Sequence, residues 1–189
     1  MKHFFNFLLL AVIGFGSILN AQTTWNCDLS HSAINFSVGY LNISKVPGNF
    51  KAFEGSIKTS TADFVGAKID FTVDVNSINT NIEQRDVHLK SADFFDAATH
   101  GKMTFSSTSF KKQGKKYQLE GNLTIKGITK KTTFVVTYGG TAKDPYGNER
   151  IGFTLNSTIK RSDFQINGAK EVVADAVDFT LNLNFTKAK

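Results

Sequence analysis

Apolar and polar residues alternate with a period of two along most of the chain beyond Trp25. Ile34, Phe36 and Val38 alternate with Asn35 and Ser37, and Ile69, Phe71, Val73 and Val75 with Asp70, Thr72 and Asp74. The pattern returns in Tyr117, Leu119, Leu123 and Ile125, then in Ile151, Phe153, Leu155 and Ile159. It is most regular in Val177, Phe179, Leu181, Leu183 and Phe185. Successive side chains of a strand point to opposite faces, so each run predicts a strand with one apolar and one wetted face. Thr, Val and Phe, common in these runs, are residues that a pleated surface favours. Residues 111–116 read as a polar hairpin loop, and Asp144-Pro145-Tyr146-Gly147-Asn148 as a turn with a preset proline and a permissive glycine. Gly48, Gly55 and Gly121 fall inside or beside strands, where glycine often marks a bulge or a barrel corner. Residues 82–95 are mixed and charged, and predict a loop carrying a short helix. An all-β chain of about eight antiparallel strands with one helical insertion closes most naturally into a barrel, because closure removes the exposed edges.

The first residues carry a different pattern. Lys2 and His3 precede an apolar run from Phe4 to Ile13, and Gly14, Gly16 and Ser17 lead to Asn20-Ala21-Gln22. That order predicts a secretory signal peptide over residues 1–21, cut after Ala21, with the bulky Leu19 its one atypical feature. The run is shorter than the roughly 20 residues that cross a bilayer, which argues against a stable membrane anchor. The expectation is an exported protein, periplasmic or secreted, with one domain over residues 22–189. The formal net charge of +6 falls to +5 without Lys2. This modest charge suits contact with anionic head groups, but no basic cluster interleaved with aromatics supports nucleic-acid binding. Cys27 is the only cysteine, so no internal disulfide forms, and the role of a small buried hydrophobe near the first strand fits it better than a reactive thiol. Fourteen of the eighteen phenylalanines lie beyond the leader, enough rings to fill a core or line a cavity.

Several short motifs follow one another in a fixed order. Trp25-Asn26-Cys27-Asp28-Leu29-Ser30-His31-Ser32 leads into Val46-Pro47-Gly48-Asn49-Phe50 and Phe53-Glu54-Gly55. Ser77-Ile78-Asn79-Thr80 precedes Arg85-Asp86-Val87-His88 and Ser91-Ala92-Asp93-Phe94-Phe95-Asp96. Met103-Thr104-Phe105, Gly121-Asn122-Leu123-Thr124-Ile125-Lys126-Gly127 and Lys160-Arg161-Ser162-Asp163-Phe164 complete the series. Together, across residues 24–186, they resemble the YceI family of bacterial periplasmic proteins. The resemblance implies a lipocalin-like extended barrel with an elongated pocket that binds isoprenoid chains, such as a polyprenyl phosphate or a quinone tail, in a setting of acid, osmotic or lipid stress. Two positions depart from the family pattern: Gln165 stands where a glycine is usual, and His100-Gly101-Lys102 where a proline is common.

On that reading the pocket wall comprises Phe36, Val38, Phe50, Phe53, Phe71, Val73, Phe94, Phe95, Phe105, Leu123, Phe134, Val136, Phe153, Leu155 and Phe164. An isoprenoid tail offers only methyl and methylene surface, whose burial releases roughly 25 cal/mol per Å². Composition alone favours rings that fill the barrel; the resemblance tips the reading to a cavity. Arg85 and His88 are candidate head-group contacts, against a structural role in which their motif pins the helix over the barrel. Asp28, His31 and Ser32 invite a triad, but they sit within five residues and lack an oxyanion-hole motif, so a capped turn is expected. His31, His88, His100 and Cys27 show no metal-site spacing, and no cofactor is expected. Arg161, Ser162 and Asp163 are expected to close the last turns by hydrogen bonds. Lys45, Lys126, Lys130 and Lys131 read as solvated faces, or as a basic rim around an acidic head group. Two other classes stay open: an enzyme acting on a quinone or isoprenoid phosphate, which needs a convergent polar group inside, and a filled barrel that serves only as an interaction module. Dimerisation is also left open.

Overall fold

The computed structural model describes residues 22–189; the leader expected over residues 1–21 lies outside them. Eleven strands are present: β1 (Thr23–Cys27), β2 (Ala33–Tyr40), β3 (Ser44–Phe50), β4 (Phe53–Thr59), β5 (Lys68–Asp74), β6 (Ile78–Asn79), β7 (Lys102–Gln113), β8 (Lys116–Ile125), β9 (Ile128–Lys143), β10 (Glu149–Lys160) and β11 (Val173–Lys187). Among the described residues there is one α-helix, α1 (Glu83–Lys90), in the stretch expected to carry one. All pairings are antiparallel. The ring runs β1-β4-β5-β7-β8-β9-β10-β11 and closes through β11 on β1. The short β2-β3-β6 sheet continues the same wall, with β2 also on β11. Three of the eight staves are therefore broken in two, β1 with β2, β3 with β4, and β5 with β6.

Short side-chain caps make two of these breaks. Asp28 accepts from the backbone N–H of Ser30 (2.9 Å) and opens the 3-10 turn Leu29–His31. Asp74 does the same for Asn76 (2.9 Å) at the turn Val75–Ser77, so Val75 ends in that turn rather than in a strand. Such side chains offer the backbone an alternative to the ladder. The loop expected at residues 111–116 is shorter than the sequence suggested. Pairing continues through Lys111↔Gln118 to Gln113↔Lys116, leaving a two-residue turn with Gly114 at φ 60°. These strand ends stand in water on both faces, so they carry no apolar alternation to read. Lys126 and Gly127, at φ 49° and 72°, form the matching tight turn between β8 and β9, the mirror-image geometry that suits strand twist.

The interior holds two packed clusters. Near one end Trp25, Phe64, Phe110, Tyr117 and Phe153 bury each other together with Phe185. Phe64 comes from the β4–β5 loop and takes a left-handed φ of 61°. That conformation costs a non-glycine residue about 1–2 kcal/mol. The cost is offset by inserting the ring between Trp25, Tyr138 and Phe153, at centroid distances of 6.1, 5.7 and 5.6 Å. Phe64 thus plugs this end. At the other end Ile34, Phe50, Ile78, Phe94, Phe164 and Ile166 pack beneath α1 and the loops that follow α1 and β10.

Candidate functional site

Between the two clusters the barrel holds a cavity of about 150 Å³, and a second of about 80 Å³ lies under the helix end. Phe50, Met103, Ile125, Ile159 and Phe179 face both, so their side chains form the partition. The larger cavity is walled by Phe71, Val73, Phe105, Leu123, Phe134, Val136, Phe153 and Leu155 together with other inward residues of the strands. The smaller one is walled by Phe36, Val38, Phe94 and Phe95 with residues of β11 and the loop before it.

Two residues expected on the wall stand elsewhere. Phe53 lies opposite Val73 on the inner face but is not in either lining; it packs beside the helix-end cluster and stacks on Phe71 at 6.3 Å. Phe164 is buried in that cluster, in the 3-10 turn Arg161–Phe164, where the strand register no longer applies. The strand pattern missed Ile57, Met103 and Phe110. Ile34, Ile69, Leu119, Ile125, Ile159, Phe179, Leu181, Leu183 and Phe185, all in the alternating runs, also reach the cavity. Alternation had already placed these on the inner face, although they were not counted among the wall residues.

How the cavity stays open is a matter of glycine. Gly48 is paired with Phe36 and Gly55 with Phe71. A Cβ on Gly48 would lie 2.2 Å from Phe36 Cζ, one on Gly55 2.2 Å from Phe71 Cε2, and one on Gly121 2.4 Å from Phe105 Cζ. Each ring lies down across the backbone of the next strand instead of standing into the lumen. Of the three, only Gly121 also adjoins a register shift, between Ser107 and Ser109. Glycine in a strand permits this close approach.

Arg85 and His88 lie outside both linings. Arg85 donates from Nε and Nη2 to the hydroxyl and carbonyl of Thr80, each at 2.7 Å, and Asp86 accepts from the backbone N–H of Thr80 at 2.9 Å. His88 lies edge-on to Phe94 at 4.9 Å and 3.7 Å from Asp93. These contacts anchor the helix. The charged side chain at the smaller cavity is Arg161, only 6% exposed. It donates to the carbonyls of Ala174 (3.0 Å), Ile166 (2.8 Å), Gly168 (2.7 Å) and Val173 (2.9 Å). Burial lowers its pKa, and the nearby Asp175 acts the other way. Four of its five N–H donors are used, which ties the loop between β10 and β11 to the start of β11.

The expected triad resolves into a turn and an ion pair. Asp28 accepts from His31 Nδ1 at 2.8 Å and from Arg150, which also reaches Asp144 at 2.9 Å. These contacts, chiefly that with Arg150, hold the Asp28 carboxyl at a pKa of about 2. Ser32 bonds the backbone of Asn184, accepting from its N–H at 2.9 Å, and so has no nucleophile's geometry. Cys27 is half-buried, and that burial raises its thiol pKa. Among the described residues no group of three His, Cys, Asp or Glu is placed to hold a metal. Lys45 pairs with Asp178 at 2.7 Å, and Lys126 donates to the carbonyl of Ala92 at 2.8 Å.

Fold and site define a small closed barrel with an apolar interior and a helix-capped end. The profile of the YceI-like domain matches residues 25–185, and the chain belongs to that family. A UPF0312 protein of Pectobacterium carotovorum is 37% identical over 151 residues, covering 80% of this chain and 79% of the relative. Protein YceI of Salmonella newport is 36% identical over the same shares. Among solved structures, BcnA of Burkholderia cenocepacia is similar with a TM-score of 0.75 at 28% identity, covering 84% of this chain and 98% of BcnA. A polyisoprenoid binding domain from Saccharophagus degradans shares the fold, with a TM-score of 0.70 at 16% identity over 87% of this chain and 98% of that domain.

Proposed function

We propose that this protein binds a long apolar lipid of isoprenoid type inside the barrel, and that it does so as an exported protein of the periplasm or the extracellular space. The observation that carries this reading is the lining of the two adjoining cavities, in which aliphatic side chains and phenyl rings meet along the barrel axis. A tail of methyl and methylene groups needs no hydrogen-bond partner, so such a wall matches it and disfavours polar cargo. Membership of the YceI family supports the same reading, as does a fold shared with a domain described as polyisoprenoid binding. Carriage or buffering fits better than catalysis, because Arg161, the charged group at the lining, already spends four donors on backbone carbonyls.

Native mass spectrometry of protein purified without detergent, followed by organic extraction, tests the proposal. A co-purifying polyprenyl species or quinone is the expected result. A protein that is empty and also ignores added isoprenoids leaves the fold standing and removes the function.

A further inference from the structure

The inner face of β2 runs Phe36, Val38, Tyr40 with no polar residue, and it points toward the helix end. Val38 pairs with Val177 and Tyr40 with Val173 on β11, and Val38, Val173 and Val177 all face the smaller cavity. Directly opposed residues of an antiparallel pair share a face. An apolar track therefore leads from the cavity along the β2–β11 seam to the hairpin between β2 and β3. The ladder of that seam is interrupted between Val173 and Val177, so the wall is weakest where the track leaves the barrel.

The hairpin tip is unusually apolar for a surface turn. Tyr40 is 41% exposed, Leu41 48% and Ile43 83%, and Val172 beside them 37%. Leu41 donates its backbone N–H to the carbonyl of Val172 at 2.8 Å, which joins the two segments into one patch. Leu41 and Asn42 take φ values of 51° and 58°. A tight turn of this kind favours Asn or Gly at both central positions, so leucine at the first carries conformational strain for a side chain that the core does not use. Apolar residues at the plugged end, such as Val65 and Tyr146, are exposed singly, whereas contiguous patches mark contact surfaces.

We propose that this tip is a membrane-docking element, with the lipid bilayer as its partner, through which cargo enters and leaves. Three features favour a bilayer over a protein surface. The tip is a hairpin turn, closed by the pairing of Tyr40 with Ser44, and not the face of a sheet. It carries a tyrosine beside aliphatic residues, the combination that settles at a membrane interface. It also adjoins the cavity whose proposed cargo resides in bilayers, so this assignment rests on the isoprenoid reading. Charge contributes little: Lys45 is paired with Asp178, and Lys170 is followed by Glu171. Docking is therefore driven by apolar insertion and should survive high salt.

The experiment is flotation of the purified protein with phosphatidylcholine vesicles, wild type against the double variant Leu41→Asn, Ile43→Ser. Asparagine suits the left-handed turn, so the variant keeps its fold, which circular dichroism and thermal melting verify. Wild type should float in low and high salt, and the variant should partition at least about tenfold less. Its isoprenoid content by native mass spectrometry should match wild type. Wild type that stays with the buffer, or a variant that floats equally well, overturns the proposal. So does a tip variant that converts a dimer to a monomer without changing flotation, which would make the patch a self-interface. Flotation by a protein that binds no isoprenoid would sink the cargo reading and keep the docking element; bound isoprenoid without flotation would do the reverse.

Discussion

At the plugged end Phe64, Tyr138 and Phe153 meet ring to ring, with Phe64 edge-on to Phe153 at 5.6 Å and Tyr138 tilted against it at 5.3 Å. Along the middle and toward the helix end, Phe36, Phe71 and Phe105 also meet rings, Phe50 at 5.5 Å, Phe185 at 6.2 Å and Phe134 at 5.6 Å, but each lies in addition across a glycine of the next strand. The residue type is the same and the outcome differs. Where the strand neighbour has no Cβ, the ring folds back over the backbone and leaves space. A barrel of about eight strands is just wide enough to be filled or to hold one ligand. In this chain the neighbours of the phenylalanines make that choice locally.

The largest expected effect comes from breaking the plug. Phe153→Ala removes a ring packed on Phe64, Phe110, Tyr138 and Phe185, and should destabilise the protein by about 3–5 kcal/mol in urea unfolding. A loss below about 1 kcal/mol would mean that this end is not a rigid seal. Next, Arg161→Met strands four carbonyls at the helix end, at a cost of about 2–3 kcal/mol. Hydrogen exchange should show the loss as faster opening of residues 161–176, with the plugged end unaffected.

Gly55→Ala sharpens the comparison most directly. The added methyl meets the Phe71 ring at 2.2 Å and must push it inward. Overpacking should cost about 1–2 kcal/mol and lower ligand retention together; unchanged retention would mean that the glycines do not set the bore. The smallest effect has the opposite sign. Gln165 holds a left-handed φ of 53° at the end of the Arg161–Phe164 turn. Gln165→Gly should raise stability by about 0.5–1 kcal/mol, read as a small upward shift in Tm.

The strands were legible because their inner and outer faces differ sharply, as in the alternation from Val177 to Phe185. Alternation also separated lumen from solvent for Phe71, Val136 and Leu155. It carries no information about what lies across the ladder, so the pairing of Phe36 with Gly48 was invisible until the strands were aligned. Phe164 was misplaced because the chain leaves the strand at Arg161, and a period-two reading does not survive a 3-10 turn. Arg85 and Arg161 show the same limit from the polar side. Both are arginines in short polar motifs, and only the paths of the loops decide which one reaches the cavity.

Strand β11 bonds β10 along one edge and both β1 and β2 along the other. Of the strands of the barrel it is also the last to be synthesised. Until residues 173–187 leave the ribosome, the nascent sheet has two open edges and an uncovered apolar face, a state prone to pairing with other chains. Closure then joins segments some 160 residues apart, as in Trp25 opposite Lys187, so folding should be slow for a domain of this size. A protein built this way depends on being shielded between synthesis and closure, and a truncation of only the final strand would leave an aggregating sheet in place of a smaller barrel.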